Sequence, residues 1–319
     1  MNTSVFASGT LVSVAAVALT AAQAQDPRPS TITAPANRSG AAPTEPAKSG
    51  HIAVNGINYY YEMQGRGEPL LLLHGGLLSI DLMRPMMTVL AQHRQVIGVD
   101  LQGHGRTDLG SRPISLIDSG NDLSVLLQKL GHRQVDVLGY SFGGGAGLRL
   151  AIQHPAQVRR LVTVSAPYAQ DGFFPEMLPQ QAAVSGAIAD TMKETPIYKS
   201  YASVAPRPQD FPRLLDRMGE YMRKPYDWSA DVKTLKVPVM LIYGDSDMIR
   251  PEHIVSFYQL LGGGLKDAGW QREHMARNRL AILPNLTHYE TGLAPETTRT
   301  ALSFLDGESR TAHGHEDRQ

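Results

Sequence analysis

Cysteine is absent from all 319 residues, which excludes disulfides, thiolate metal sites and a cysteine nucleophile. Serine is left as the nucleophile to look for. An excess of charge of either sign is also missing, since 30 Lys and Arg stand against 30 Asp and Glu. No electrostatic footprint therefore points to nucleic acid or to an anionic membrane surface, and a small molecule is the expected partner. What is present is ordinary for a globular chain: 42% hydrophobic and 19% charged residues, enough for one large core in one main domain. No internal repeat is found.

The first residues, Met1-Asn-Thr-Ser-Val-Phe, contain no Lys or Arg and lead into an apolar stretch from Leu11 to Ala22. Ala22-Gln23-Ala24 has the small-x-small form of a signal-peptidase site, so residues 1–24 read as a signal peptide cleaved after Ala24. The stretch is too short and Ala-rich for a membrane span. Export to a periplasm or to the medium is the corresponding expectation. Residues 25–50 are rich in Pro, Ser, Thr, Ala and Gly and nearly free of large apolar residues, which predicts a disordered linker. The polar tail at 307–319 receives the same reading.

Asn55-Gly56, flanked by two β-prone runs, predicts an opening β-hairpin. Six apolar runs of strand length follow, at Leu70–Leu73, Val96–Val99, Val135–Leu138, Leu161–Val164, Val239–Tyr243 and Leu280–Leu283. Stretches of helical period separate them. Ile114 to Leu130 carries Leu116, Leu123, Leu126 and Leu127 near helical spacing and stops at Gly131, and Gly143 to His154 is lined with small residues. This alternation predicts a parallel sheet covered on both faces. The exception is the interval at 168–231, too long for a simple crossover, which predicts a helical cap over the carboxyl ends of the strands. Its aromatics, among them Tyr168, Tyr198, Phe211, Tyr221, Tyr226 and Trp228, either line a pocket or form the cap's own core. A smaller irregular insertion, Gly262 to Trp270, interrupts the last crossover.

The decisive segment is Val135-Asp-Val-Leu-Gly-Tyr-Ser-Phe-Gly-Gly144, a strand that runs through Gly139-Tyr140-Ser141-Phe142-Gly143 into a helix. This is the nucleophile elbow Gly-x-Ser-x-Gly in the strand-turn-helix context that gives it meaning. The tight turn needs strained angles at Ser141 and close approach at the two glycines, and it exposes the hydroxyl at a helix N-terminus that favours an anion. On this segment the chain from about His51 to Leu305 resembles the α/β-hydrolase fold family. Three further motifs support the likeness: Leu71-Leu-Leu-His74-Gly75-Gly76, Asp100-Leu-Gln-Gly103-His104-Gly105, and Leu241-Ile-Tyr-Gly244-Asp-Ser-Asp247.

The resemblance implies an α/β fold with a mostly parallel eight-stranded sheet flanked by helices. It also implies a core at 51–167 and 232–306 and a helical cap inserted after the sixth strand. It places the oxyanion hole at the amides of Gly76, with Leu77 as the near alternative, and of Phe142. A serine hydroxyl needs a base, and the base needs an anion behind it. In this family both follow the serine, the acid first. Asp245 and Asp247 compete as the acid, and the spacing Gly244-x-x-Asp247 favours Asp247 by likeness, with Asp245 left to bond turn amides. His288, on a loop after the last predicted strand and before a closing helix near Pro295, is the base. His253 and His274 fall in polar helical stretches, His154 ends a helix, and His74 and His104 sit beside glycines at strand ends where a structural role suffices. The implied activity is that of a serine hydrolase acting on a small to medium apolar ester or lactone, with no cofactor and no metal. Perhydrolase chemistry, carbon-carbon bond hydrolysis and ligand binding without turnover are the alternatives.

Overall fold

The Asn-Gly signal leads straight to the first two strands. In a computed structural model, which describes residues 48–307, Lys48–Val54 (β1) and Ile57–Gln64 (β2) pair antiparallel with Val54 opposite Ile57. Asn55 and Gly56 take φ of 49° and 81°, the left-handed pair of a two-residue hairpin turn. The expected signal peptide and the tail beyond residue 307 lie outside the described residues, as does the expected linker except its end. That end is corrected: Lys48 to Gly50, read as linker, already pair with Met63 to Tyr61, because a ladder requires only backbone N–H and C=O groups and not apolar side chains.

The chain continues through Pro69–Leu73 (β3), Arg84–Leu90 (α1), Gln95–Val99 (β4), Leu116–Lys129 (α2), Val135–Tyr140 (β5), Phe142–Gln153 (α3) and Val158–Val164 (β6). Between that strand and the next come Met177–Ala182 (α4), Ala189–Met192 (α5), Pro196–Val204 (α6), Phe211–Met222 (α7) and Ser229–Lys233 (α8). Val239–Ser246 (β7), Pro251–Leu260 (α9), Arg279–Thr287 (β8), His288–Thr291 (α10) and Pro295–Leu305 (α11) complete the described elements. The eight strands form one sheet in the order β1-β2-β4-β3-β5-β6-β7-β8, antiparallel only where β2 meets β1 and β4. The other five pairings are parallel.

The pleat divides the core. Along β3, Leu71 and Leu73 face one side with Leu123 and Leu127 of α2. Leu70 and Leu72 face the other with Met87 of α1 and Ala301 and Leu305 of α11. Side chains alternate across a strand, so a run of four consecutive leucines is what a sheet covered on both faces demands. Strand order reverses at β3, which pairs with β4 on one side and β5 on the other. Open α/β sheets bind ligands at such a switch point, beyond the carboxyl ends of the strands.

The helices between β6 and β7 are held by their own aromatic packing. Phe211 on α7 is buried, with Tyr198 and Tyr201 rings 5.1 and 5.0 Å from its own. Helix α8 straddles the expected boundary at 231/232, and its Asp231 pairs with Arg149 of α3 at 2.7 Å. Two histidines differ from the sequence reading. His253 lies on α9 but is buried, where it accepts the Tyr168 N–H at 3.2 Å and stacks on the Tyr168 ring. Burial pulls its pKa down to about 4. His274 lies in the irregular segment between α9 and β8, outside any helix, because Gly262 to Gly264 and Gly269 end the helical period early.

Candidate active site

Strand β5 delivers Ser141 to the switch point. The residue takes φ 52° and ψ −114°, angles that a residue with a Cβ holds only when its surroundings impose them. They are imposed here by two hydrogen bonds: the Ser141 N–H donates to the Val164 carbonyl at 2.8 Å, and its own carbonyl accepts from the Gly145 N–H at 3.0 Å. The flanking glycines are steric necessities. A Cβ on Gly139 would stand 2.3 Å from the Gly143 carbonyl oxygen, and one on Gly143 would stand 2.4 Å from that of His74.

His288 opens α10, a single turn that begins where β8 ends. Thr287 and Glu290 cap it reciprocally, with Glu290 Oε2 accepting both the Thr287 N–H at 3.1 Å and the Thr287 hydroxyl at 2.9 Å. The Tyr140 hydroxyl donates to the His288 carbonyl at 2.6 Å and so ties this turn to the elbow. Burial and the nearby Asp247 carboxylate both push the Tyr140 hydroxyl pKa up, which keeps it a donor. A loop was expected at His288; the pattern Thr287-x-x-Glu290 is the capping-box signal that marks the helical turn.

Asp247 leaves the end of β7 and is 7% exposed, beside His288 at 6%. Its Oδ1 lies 2.8 Å from His288 Nδ1 and accepts the Ile249 N–H at 3.2 Å. Because a carboxylate can only accept, the ring proton belongs on Nδ1. Nε2 is left as the acceptor for the Ser141 hydroxyl, whose Oγ is 3.0 Å away. Asp245 is exposed and accepts the Ser246 hydroxyl at 3.3 Å, not turn amides. The structure thus gathers Ser141, His288 and Asp247 and leaves Asp245 outside.

Gly76 and Leu77 are the central residues of a turn closed by the Leu78 N–H on the Gly75 carbonyl at 3.2 Å, with Leu77 at φ 60°. Phe142 begins α3, so its N–H precedes the first intrahelical bond. The two segments meet: a Cβ on Gly76 would lie 3.6 Å from the Phe142 Cβ and 3.1 Å from the Met218 methyl of α7. The Tyr221 ring packs edge-on against Phe142 at 5.4 Å. The wall above the elbow is therefore apolar and comes from α7.

His74 and His104 support this ground from beneath. His74 donates from Nδ1 to the Gly75 carbonyl at 2.8 Å and accepts the Leu101 N–H at 3.0 Å. His104 donates to the Gln102 carbonyl at 2.8 Å and stacks on Phe142. Burial lowers their pKa values to about 4 and about 3, so both are neutral spacers. The sequence reading missed Ser165, whose hydroxyl donates to Asp247 Oδ2 at 2.5 Å. Only a serine ending an apolar run marks it in the sequence. Among the described residues no group of three or more His, Cys, Asp or Glu is gathered to hold a metal ion.

Comparison with known proteins adds to this geometry. Residues 68–196 match the family model for the alpha/beta hydrolase fold. The pimeloyl-[acyl-carrier protein] methyl ester esterase of Nitrosomonas europaea is 26% identical over 253 residues, 72% of this chain and 92% of that protein. The 2-hydroxymuconate semialdehyde hydrolase of Pseudomonas sp. strain CF600 is 37% identical over 119 residues, 36% of this chain and 42% of that protein. The crystal structure of carboxylesterase CesB from Bacillus subtilis superimposes with a TM-score of 0.60 at 19% identity, over 82% of this chain and 92% of that one. With its eight-stranded, mostly parallel sheet and its Gly-x-Ser-x-Gly elbow, the chain has the α/β-hydrolase fold, which the family model matches over residues 68–196 and the carboxylesterase structure shares.

Proposed function

We propose that this protein is a serine hydrolase that cleaves a carboxylic ester, lactones included, of a small to medium apolar substrate through an acyl-enzyme on Ser141. The observation that carries the reading is the chain of contacts from Ser141 Oγ to His288 Nε2 at 3.0 Å and from His288 Nδ1 to Asp247 at 2.8 Å. Such an arrangement lets Ser141 attack a carbonyl carbon as His288 takes its proton. The tetrahedral oxyanion collapses with expulsion of the alcohol, which receives that proton from His288. Water, deprotonated by His288, then attacks the acyl-enzyme and returns Ser141. Asp247 holds the ring tautomer and stabilises the imidazolium that forms in each half. The amides of Phe142 and Gly76 are the proposed oxyanion donors, each worth about 3 kcal/mol in such sites.

The ester assignment is supported by the apolar wall from Met218 and Tyr221 and by the likeness to an ester hydrolase over most of the chain. In this reading the helices between β6 and β7 act as a cap that sets substrate size. A carbon-carbon bond hydrolase is the second reading, favoured by the 37% identity to the semialdehyde hydrolase over 119 residues. The test is hydrolysis of p-nitrophenyl esters from acetate to decanoate, beside a vinylogous diketone, by wild type and Ser141→Ala. Ester turnover lost by several orders of magnitude in the variant is expected. Turnover of the diketone alone selects the second reading, and absence of both with no labelling by a fluorophosphonate refutes the hydrolase assignment. Export with cleavage after Ala24 is proposed from the sequence, and a secreted form with Met1 intact contradicts it.

A further inference from the structure

The end of β6 carries a buried hydroxyl that the steps above do not employ. Ser165 is fully buried and takes φ 52°, a conformation that glycine enters freely and that a residue with a Cβ resists. Strand β7 holds it there. The Ser165 N–H donates to the Ile242 carbonyl at 2.8 Å, and the carbonyl of the next residue, Ala166, accepts the Tyr243 hydroxyl at 2.7 Å. The same strand ends in Asp247. The left-handed turn brings Ser165 Oγ to 2.5 Å from Asp247 Oδ2, while Oδ1 serves His288 Nδ1 and the Ile249 N–H.

A carboxylate gripped on one oxygen alone is free to rotate about Cβ–Cγ, because that torsion has only broad preferences. A donor on the second oxygen removes the freedom. We infer that Ser165 is a positioning residue: its hydroxyl locks the Asp247 carboxylate in the plane in which Oδ1 meets the His288 ring. The inference rests on the role proposed above for Asp247. A strained serine where glycine would fit without strain is what such a role requires, since glycine supplies the backbone but no donor.

The experiment compares wild type, Ser165→Ala and Ser165→Gly in ester hydrolysis and in thermal unfolding. Both variants lose the hydroxyl, but only glycine relieves the backbone. The expected result is a fall in kcat of about tenfold in both, with KM changed less than about twofold, while the melting temperature of the glycine variant exceeds that of the alanine variant. A purely structural serine predicts otherwise, with kcat tracking stability and the glycine variant at wild-type activity. Values of kcat within about twofold of wild type in the glycine variant overturn the inference while leaving the hydrolase reading intact. A wild type without turnover overturns both.

Discussion

Replacing Asp247 with asparagine tests the site at the point where charge and tautomer meet. The carboxylate is buried and accepts from three donors, the His288 ring, the Ile249 amide and the Ser165 hydroxyl. An amide of the same shape satisfies them in two ways, both poor. With its NH2 toward His288, the ring must accept at Nδ1, and its proton moves to Nε2, where it faces Ser141 and blocks proton transfer. With its oxygen toward His288 the tautomer survives, but the imidazolium loses its anion, a charged hydrogen bond worth about 1.5 to 3 kcal/mol. With His288 and Asp247 this buried, water is poorly placed to substitute. The expected fall in kcat is about 10³ to 10⁴, or ~4 to 5 kcal/mol of transition-state stabilisation. The assay is steady-state hydrolysis of the preferred p-nitrophenyl ester by Asp247→Asn beside Asp245→Asn, with circular dichroism to show that both fold. Exposed Asp245 should leave kcat near wild type. Activity of Asp247→Asn within tenfold of wild type, or an equal loss in Asp245→Asn, refutes the assignment of the acid.

Two further outcomes follow from the surroundings of the site. The Met218 methyl lies over Gly76, so Met218→Ala should raise kcat/KM for decanoate relative to acetate by about tenfold, at ~2 to 5 kcal/mol of stability for the buried side chain removed; an unchanged ratio shows that α7 does not set acyl length. Stability should also fall in acid. Burial lowers His74 to about 4 and His104 to about 3 from 6.5, so below pH 6.5 the unfolded chain binds protons that the folded chain refuses, and stability drops as pH falls toward 4. Asp100 acts in the opposite sense, because burial raises its pKa to about 6 and the folded chain then takes up a proton first. His253, buried and also lowered to about 4, acts with the two histidines, so together they outweigh Asp100 and the net change from pH 7 to about pH 4.5 is a loss of stability of several kcal/mol. Urea unfolding at both values reads it, and a midpoint that does not fall on acidification contradicts the neutral, buried state of these histidines.

Much of the architecture was legible because its causes are local. Runs such as Leu70 to Leu73 are apolar on both faces, which only a strand between two layers of helices tolerates, and each of the six runs falls inside an observed strand. Asn55-Gly56 specified its turn through the angles those residues accept. The spacing Gly139-x-Ser141-x-Gly143 announced the elbow, since a side chain at either glycine would collide with backbone. Chain order then directed the search to Asp247 and His288. Other features were hidden because their causes lie far apart in the chain. Asp245 and Asp247 look alike in sequence, and the pairing of β7 with β8, which shifts register between Gly244 and Ser246, accompanies the burial of one and the exposure of the other. Ser165 meets Asp247 across 82 residues, Tyr140 meets His288 across 148, and Ser141 meets it across 147. The sequence by itself determined which segments become strands and which serine sits on a strained turn. The tertiary structure decided which donors surround Asp247 and which side chain covers Gly76, because hydrogen-bond partners and steric neighbours are set by the order of strands in the sheet and not by distance along the chain.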